Sequence, residues 1–265
     1  MSTRGSPTPR WSGEHYAAAA EHHREFDDWF LDQYRPDPGD RVIDAGCGSG
    51  EFTARLAELV PDGEVVGVEP DHSMLEAARR HEAENLDFRE GRLQDLDQVC
   101  EPSWADLVIS RSVFHWIPIE EYLDCYRAIH HVLRPGGWLH AESGGAGNVQ
   151  RLEAALDDIA AELGHAPGGV AFPDAGTVLE LLEQAGLDVP TSGVTTVAQR
   201  RHLERDQLLA MIRTQASRAY GLGSDELELD RFVAAVDRRS DELRRHDGTY
   251  DQTFVRLHVL ARRPR

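Results

Sequence analysis

Short apolar runs alternate with amphipathic stretches along the first half of the chain. Five runs are short enough, and rich enough in β-branched residues, to be buried strands. They read RVIDAG, EVVGVE, LDFREG, DLVISR and GWLHAES. Helical periodicity lies between them, near 50–60, 71–84 and 117–133. Alternation of strands and helices at this spacing predicts a parallel sheet with helices on both faces, which is a doubly wound α/β fold.

The N-terminal segment has a pattern of its own. Residues 1–12 are polar and are expected to form a disordered lead. Residues 13–34 place Tyr16, Phe26 and Phe30 at roughly helical spacing, which predicts an N-terminal helix. The RPDPGD sequence that follows ends this helix, because proline and glycine interrupt helical structure.

Past residue 147 the pattern is mainly helical. Helices are predicted near 148–163 and 174–185, and a strand follows in VTTVAQRR. Two further helices, near 204–220 and 225–246, precede a last long strand, YDQTFVRLHVLARR. The segment that joins these two strands has about 48 residues, which is too long for a plain connection. The predicted division of the chain is a core of 13–201 and 250–265 with a helical insertion at 202–249.

Composition excludes several classes of partner. The 265-residue chain has a formal net charge of -19, so it cannot neutralise the phosphates of nucleic acid or of an anionic membrane. Three cysteines at irregular spacing indicate a reduced intracellular protein. No apolar run reaches the ~18 residues of a membrane span. We therefore expect a cytoplasmic protein that has neither a nucleic-acid nor a membrane partner; its oligomeric state is left open.

The segment VIDAGCGSGEF raises the question of a ligand, because Gly46, Gly48 and Gly50 alternate after an apolar run. The phosphate-binding P-loop requires a lysine, and all 28 basic residues here are arginine. The dinucleotide fingerprint requires a third glycine where Glu51 stands, and an acid in that first helical turn repels a pyrophosphate. The loop favours an amino-acid moiety held by backbone groups.

An acid ends the second predicted strand. Glu69 follows the glycine loop at the spacing at which a carboxylate can accept both hydroxyls of a ribose. Taken alone, Glu69 is equally an ordinary acid at a strand end. The pairs of adjacent histidines at 22–23 and 130–131 point about 100° apart on a helix and do not converge on one ion, so no metal site is predicted.

Five segments, in this order, resemble the motif set of class I S-adenosylmethionine-dependent methyltransferases. They are VIDAGCGSG, VVGVEPDHSMLEAA, FREGRLQDL, DLVISRSVFHWI and HHVLRPGGWLHAE. The later segments FHWI and RPGGWLHAESGGAGNV, the insertion and the last strand are similar to the group of trans-aconitate and malonyl-carrier-protein methyltransferases. The resemblance implies a Rossmann-like sheet of seven strands with the last antiparallel, an insertion that acts as a lid, and S-adenosylmethionine as cofactor.

The resemblance also implies which residues contact the cofactor. For the methionine and ribose moieties they are Asp44, Gly46, Cys47, Gly48, Gly50 and Glu69. For the rest of the cofactor they are Tyr16, Pro70, Met74, Gly91, Arg92, Leu93, Ser110, Arg111 and Val113. Arg92 stands where the family usually has an acid, and arginine cannot accept a hydrogen bond from adenine. That contact is therefore lost or passes to Gln94 or Asp95.

Methyl transfer is an in-line displacement at a sulfonium, so the protein mainly aligns the reactants and excludes water. His115, just past the fourth strand, is the candidate catalytic base; the alternative is that it only packs beside Trp116. Arg111 either clamps an acidic substrate or pairs with Glu142, since a bidentate arginine serves both equally well. Trp116, Arg213 and Arg218 are further candidate substrate contacts.

The predicted function is S-adenosylmethionine-dependent methylation of a small molecule. The acceptor atom is expected to be oxygen, with a carboxylate ahead of a hydroxyl, because the Asn/Asp-Pro-Pro-aromatic segment of nitrogen methylation is absent after the fourth strand, where SRSV stands. Two alternatives remain open: an NAD(P)-dependent oxidoreductase on a dinucleotide fold, and a protein that binds S-adenosylmethionine without catalysis.

Overall fold

The computed structural model describes residues 21–244 and 246–265, and two expectations lie outside it: the lead at 1–12 and the contact by Tyr16. Seven strands are present in the described part. They are β1 (Arg41–Ala45), β2 (Glu64–Glu69), β3 (Leu86–Glu90), β4 (Ala105–Arg111), β5 (Leu133–Gly144), β6 (Val194–Leu203) and β7 (Tyr250–Arg262).

Helices connect the strands. The α-helices are α1 (Glu21–Gln33), α2 (Glu51–Leu59), α3 (His72–Ala78), α4 (Leu96–Val99), α5 (Tyr122–Val132), α6 (Gln150–Leu163), α7 (Ala175–Gln184), α8 (Arg205–Ala219) and α9 (Glu226–Arg239). Helices α8 and α9 lie between β6 and β7. No helix of the described segments is long and apolar enough to cross a membrane.

All seven strands form one sheet in the order β3-β2-β1-β4-β5-β7-β6. Strand β1 pairs in parallel with β2 on one side and with β4 on the other, and only β7 runs antiparallel to its neighbours among these strands. The predicted doubly wound, mostly parallel seven-stranded fold is confirmed. The chain leaves β1 in opposite directions to reach β2 and β4, and ligands bind at such a switch point.

Three apolar clusters hold the elements together. One packs α5 and α7 on one face of the sheet, and a second packs α1 and α2 on the other face. The third joins α6 to α8, α9 and the start of β7, through residues such as Ile159, Ile212 and Phe232. The insertion helices therefore share their core with α6, which the sequence pattern had grouped with the sheet.

Three helices are shorter than predicted. The helix predicted over 117–133 begins at Tyr122, because Pro118 forces the preceding Ile117 into an extended conformation and is itself extended. The helix predicted over 71–84 ends at Ala78, and one 3-10 turn follows before the chain reverses into β3. The last insertion helix likewise ends at Arg239, ahead of a 3-10 turn over Ser240–Leu243.

Candidate active site

The candidate site lies where the carboxyl ends of β1, β2 and β4 meet at the switch point. The loop after β1 turns directly into α2, and its residues Gly46 and Cys47 both donate a backbone hydrogen bond to the carbonyl of Val68 on β2. This pins the glycine loop to the neighbouring strand. The N-terminus of α2, whose first N–H groups have no partner within the helix, thus lies at the strand ends.

Each glycine of the loop has a positive φ, but their surroundings differ. A β-carbon on Gly46 would lie 2.3 Å from Cγ2 of Val113, and one on Gly50 would lie 2.9 Å from the backbone of Ala78. A β-carbon on Gly48, at φ +57°, would meet only the methyl group of Met74, at 3.6 Å. The outer glycines are therefore required by packing within the protein. Gly48 leaves open space beside its backbone, as a ligand that lies against the chain requires.

Glu69 faces this loop from the end of β2. Its Oε2 accepts a hydrogen bond from the backbone N–H of Gly48 at 3.1 Å, and its Oε1 accepts one from that of Asp71 at 3.0 Å. The side chain is 7% exposed, and burial raises the pKa of Glu69 against the lowering effect of the two N–H groups. Each oxygen has a second lone pair, so the carboxylate can still accept from a ribose diol.

Asp44 and its neighbours form the floor beneath the loop. Thr53 donates to Oδ2 of Asp44 at 2.7 Å, and burial raises the pKa of Asp44 to about 6. The hydroxyl of Ser110 donates to the carbonyl of Ala45, which ties β4 to β1 rather than reaching outward. Burial also raises the pKa of Cys47, so its thiol stays protonated and inert. The sulfonium of a cofactor would find an acidic, closely packed floor here.

The expected adenine side is built on β2 and the turn after β3. Met74 and Leu93 are buried there, while Pro70 is exposed. Asp71 caps α3 by accepting hydrogen bonds from the backbone of Ser73 and Met74. Gly91 donates its N–H to the carbonyl of Glu69 at 3.2 Å, which holds the two strand ends together.

Arg92 pairs with an acid of another element. Its guanidinium donates to Oε2 of Glu121 at 2.9 Å, and the side-chain amide of Gln94 donates to the same oxygen. Glu121 thus joins the turn before α5 to the segment that follows β3. Local periodicity could not predict this contact, because Glu121 lies 29 residues beyond Arg92.

Of the two alternatives for Arg111, the pairing with Glu142 is not formed. Arg111 donates to Oδ1 of Asp27 on α1 at 2.6 Å, and its guanidinium lies 4.2 Å from the centre of the Phe52 ring. Glu142 pairs instead with Arg256 of β7. The strand order explains the difference, since β7 inserts next to β5 and offers Glu142 a nearer cation. Arg111 therefore anchors the N-terminal helix at the rim of the site.

His115 is held by hydrogen bonds on both its backbone and its ring. Its N–H donates to Oγ of Ser143 at 3.0 Å, and its ring Nδ1 lies 3.0 Å from the same hydroxyl. The backbone N–H of Gly144 also donates to Nδ1, at 3.4 Å. The ring centre lies 4.9 Å from that of Trp116. His115 thus packs beside Trp116, as one of the two sequence interpretations held, and is also fixed to the end of β5.

Two of the arginines of α8, Arg213 and Arg218, differ in where they lie. Arg213 pairs with Asp230 of α9 at 2.6 Å, within the insertion. Arg218 lies over the ring of Trp116, with 5.0 Å from its guanidinium carbon to the ring centre, and its charge also lowers the pKa of Glu69. Of these two candidate contacts, Arg218 therefore lies beside Trp116, and Arg213 is paired within the insertion.

Sequence reasoning missed Ser143, Asp27 and Glu121. Ser143 could have been found, because it lies at the carboxyl end of a parallel strand, where functional side chains gather. Asp27 could not, because it lies on α1 and meets Arg111 only after the sheet has formed, 84 residues away in the chain.

Comparison with known proteins identifies a methyltransferase domain in the part of the chain that contains the glycine loop. Residues 42–137 match the family described as methyltransferase domain. The chain is 37% identical over 102 residues to a trans-aconitate 2-methyltransferase of Deinococcus radiodurans, covering 38% of this chain and 37% of that protein. In that match the chain spans little more than a third of the relative's length. A trans-aconitate 2-methyltransferase of Rhodococcus jostii is 29% identical over 261 residues, covering 95% of this chain and 98% of that protein.

Solved structures share the architecture. The YcgJ protein of Bacillus subtilis has a TM-score of 0.63 at 16% identity, covering 92% of this chain and 100% of that chain. Phosphoethanolamine N-methyltransferase 2 of Haemonchus contortus, in complex with S-adenosyl-L-methionine, has a TM-score of 0.58 at 16% identity, covering 91% and 53%. The chain thus contains a methyltransferase domain, and its fold is similar to that of class I S-adenosylmethionine-dependent methyltransferases. Within that class it is related to the proteins named trans-aconitate 2-methyltransferase.

Proposed function

We propose that this protein transfers a methyl group from S-adenosylmethionine to a carboxylate oxygen of a small organic acid. The observation that carries the cofactor assignment is the contact between Gly48 and Glu69 at the switch point. It places an open stretch of backbone beside a buried carboxylate. That arrangement suits an amino-acid moiety joined to a ribose, and the family of the chain uses such a cofactor.

The bound cofactor supplies an activated methyl group on a cationic sulfur. The chain then has three tasks. Gly48 and Glu69 fix the position of the reagent, Asp44 places negative charge beneath a cation, and the aromatic rings of Trp116 and Phe52 shield the site from water. Alignment and exclusion of water are the main protein contributions to a displacement of this kind.

An acidic acceptor is supported by the cations near the site. Arg218 lies over Trp116, and a guanidinium binds a carboxylate through two parallel hydrogen bonds. The relatives named trans-aconitate 2-methyltransferase bear the name of a small polycarboxylic acid, which agrees with this chemistry. The overall charge of -19 gives no attraction for acids at long range, so recognition rests on local arginines.

Calorimetry and product analysis test the proposal. The protein should bind S-adenosylmethionine and S-adenosylhomocysteine and should not bind NAD or NADP; tighter binding of a nicotinamide cofactor would make it an oxidoreductase. Incubation with S-adenosylmethionine and a panel of small di- and tricarboxylic acids, including trans-aconitate, should yield a methyl ester by mass spectrometry. Methyl on nitrogen or carbon, or binding without turnover of any acid, alcohol or amine, would contradict the proposed reaction.

A further inference from the structure

Residues 165–173, between α6 and α7, lie across the carboxyl ends of β4 and β5. We call them the connecting segment, and they form neither helix nor strand. Ala171 donates its backbone N–H to the carbonyl of His115, in the turn after β4, at 2.9 Å. The carbonyl of Pro173 accepts the N–H of Ala146, just after β5, also at 2.9 Å. These two hydrogen bonds fix one end of the segment to the edge of the sheet at which ligands bind.

Phe172 of this segment packs where the two strands end. A β-carbon on Gly144 would lie 2.5 Å from the Phe172 ring, and the centre of that ring lies 6.1 Å from the centre of the His115 ring. Gly144 also borders a small cavity, and Phe114 and Ser143 are among its other lining residues. Phe172 therefore packs on the turn after β4 and on the end of β5, next to this cavity.

The order of the strands separates the cofactor side of the site from the acceptor side. Glu69 ends β2, the glycine loop follows β1, and β4 and β5 lie on the other side of β1 from β2. A cofactor whose ribose contacts Glu69, and whose amino-acid part lies at the glycine loop, leaves the ends of β4 and β5 to the second substrate. The connecting segment lies across these two strand ends.

Asp157 of α6 holds the other end of the connecting segment. Its Oδ1 accepts the backbone N–H of Gly168 at 2.9 Å and the hydroxyl of Tyr220 at 2.8 Å. Burial, and then Asp157, raise the pKa of Tyr220, so this hydroxyl keeps its proton and remains a donor. Hydrogen bonds to a carboxylate are stronger than those between neutral groups. One side chain of α6 therefore fixes both the segment and the residue that follows α8.

Tyr220 ties the same point to the insertion. A β-carbon on Gly168 would lie 3.1 Å from Cζ of Tyr220, and the Tyr220 ring lies 5.0 Å from that of Phe232 on α9, between centres. The carbonyl of Ala219, the last residue of α8, accepts the N–H of Gly169 at 2.7 Å. The connecting segment is thus held between the insertion at one end and the ends of β4 and β5 at the other.

We infer that Asp157 is a positioning residue for the methyl acceptor, because its carboxylate holds the connecting segment, and with it Phe172, at the wall of the acceptor pocket. This inference rests on the proposed function, since it takes the ends of β4 and β5 as the acceptor side of a methyltransferase site. In this role Asp157 acts through the segment and touches neither substrate. Without it, the segment is in the binding position for a smaller fraction of the time, and the apparent affinity for the acceptor falls by that fraction.

Asp157→Ala and Asp158→Ala form a matched pair, because Asp158 is the next residue of α6 and is exposed. In Asp157→Ala the KM for the acceptor should rise roughly 10-fold, since two hydrogen bonds to a carboxylate are lost. Its kcat, and its Kd for S-adenosylmethionine, should stay at the wild-type values, because neither the chemical step nor the cofactor side is touched. Asp158→Ala should have the KM of the wild type.

Two conservative variants test the hydrogen bonds themselves. Asp157→Asn should restore most of the wild-type KM, because its amide oxygen can still accept from both donors. Tyr220→Phe should have a KM between those of the wild type and Asp157→Ala, because it keeps the ring against Gly168 and loses only the hydroxyl. An unchanged KM in Asp157→Ala, the same rise in KM in Asp158→Ala, or a loss confined to kcat would overturn the inference.

Hydrogen exchange reads the position of the connecting segment independently of turnover. With S-adenosylmethionine bound, peptides that cover residues 165–173 should exchange faster in Asp157→Ala than in the wild type, and at the wild-type rate in Asp158→Ala. Equal exchange in all three proteins overturns the inference alone. If the wild type methylates an alcohol or an amine and no acid, the proposed function fails, and the KM for that acceptor decides the role of Asp157. Methylation of no acceptor would contradict both.

Discussion

At the scale of single residues, the candidate site contains two kinds of position. Some residues are required by packing within the protein, and others leave space or hydrogen-bonding capacity for a ligand. Gly46 and Gly50 are closely packed against Val113 and Ala78, so any side chain there would collide with the protein. Gly48 has no such neighbour, and Glu69 keeps unused lone pairs while buried. Residues of the second kind are where substitution should separate binding from folding.

Replacement of Glu69 by Gln should weaken S-adenosylmethionine binding by about 1.5–3 kcal/mol, the usual contribution of a hydrogen bond to a charged group. Calorimetry measures the change. Glu90→Gln is the matched control, because Glu90 is the exposed residue that pairs with Glu69 across β2 and β3. Equal affinity in the two variants, both folded, would remove Glu69 from the cofactor site.

Gly48→Ala should abolish cofactor binding and leave the fold intact. Alanine at φ +57° costs about 1–2 kcal/mol, and its methyl group would occupy the space beside the loop. Gly164→Ala is the control, because Gly164 has φ +83° and nothing within 4 Å of an added β-carbon. Urea unfolding should show a similar decrease in the free energy of unfolding for both variants. Only Gly48→Ala should lose the rise in melting temperature that S-adenosylmethionine produces. Retained cofactor binding in Gly48→Ala would contradict the role of the loop.

At the scale of elements, two helical parts border the site and are held in different ways. Helix α1 is attached through the ion pair of Asp27 with Arg111 and through the buried Phe30. Helices α8 and α9 are attached mainly to α6, and Arg218 reaches from α8 to Trp116. The first attachment relies on one buried charge pair, and the second joins the insertion to the acceptor side of the site.

Asp27→Ala should destabilise the protein by about 3–5 kcal/mol, because it leaves the buried guanidinium of Arg111 without its partner. Asp28→Ala is the control: Asp28 is the next residue along α1, its side chain is 72% exposed, and it pairs with Arg55 at the surface. Urea denaturation should show almost no change for this variant. Similar losses for both variants would show that the buried pair does not anchor α1.

The insertion helices α8 and α9 should become more protected against hydrogen exchange when S-adenosylmethionine and an acid are both bound, because the guanidinium of Arg218 would gain a carboxylate partner. Helix α7 serves as an internal reference, since its buried residues Val178 and Leu182 pack in the cluster on the sheet. Exchange in α8 and α9 that is unchanged by the two ligands would rule out a lid.

At the scale of the whole molecule, buried ionisable groups link stability to pH. His140 of β5 and His258 of β7 lie Nε2 to Nε2 at 2.8 Å, and Phe30 stacks on His140 at 3.7 Å between ring centres. Burial, and then the charges of His258 and Arg111, lower the pKa of His140 to about 2. Burial also lowers the pKa of His258, although the negative charge of Glu142 raises it.

In the folded protein His140 stays neutral well below pH 6.5, and His258 takes up its proton at a lower pH than it does in the unfolded chain. Stability should therefore fall as the pH falls below about 6.5, with a limiting slope of about 1.4 kcal/mol per pH unit for each histidine. The raised pKa of Asp44 has the opposite effect, because its protonation in the folded protein increases stability as the pH falls from about 6 to about 4. The double variant His140→Leu/His258→Leu keeps Asp44 and therefore serves as the reference. The free energy of unfolding of the wild type and of the double variant is measured with urea from pH 5 to 8. The same dependence on pH in both proteins would contradict the prediction.

The sequence by itself determined the secondary-structure elements and the position of the glycine loop after β1. Strand and helix periodicity is a local property, so β1 to β7 could be located from residues that are near one another in the chain. The conformational requirements of Gly46, Gly48 and Gly50, and the place of Glu69 at a strand end, are local as well. What differed at this level, such as the later start of α5, came from Pro118 and the extended backbone around it.

Only the tertiary structure decided the partners of the charged and polar side chains. Arg111 meets Asp27 across 84 residues, Glu142 meets Arg256 across 114, and His115 meets Ser143 across 28. The acid that pairs with a given arginine depends on the order of the strands and on where α1 packs against the sheet. Neither can be predicted from local periodicity. The insertion of β7 beside β5 placed Arg256 next to Glu142, and the end of β5 holds the ring of His115 through Ser143 and Gly144.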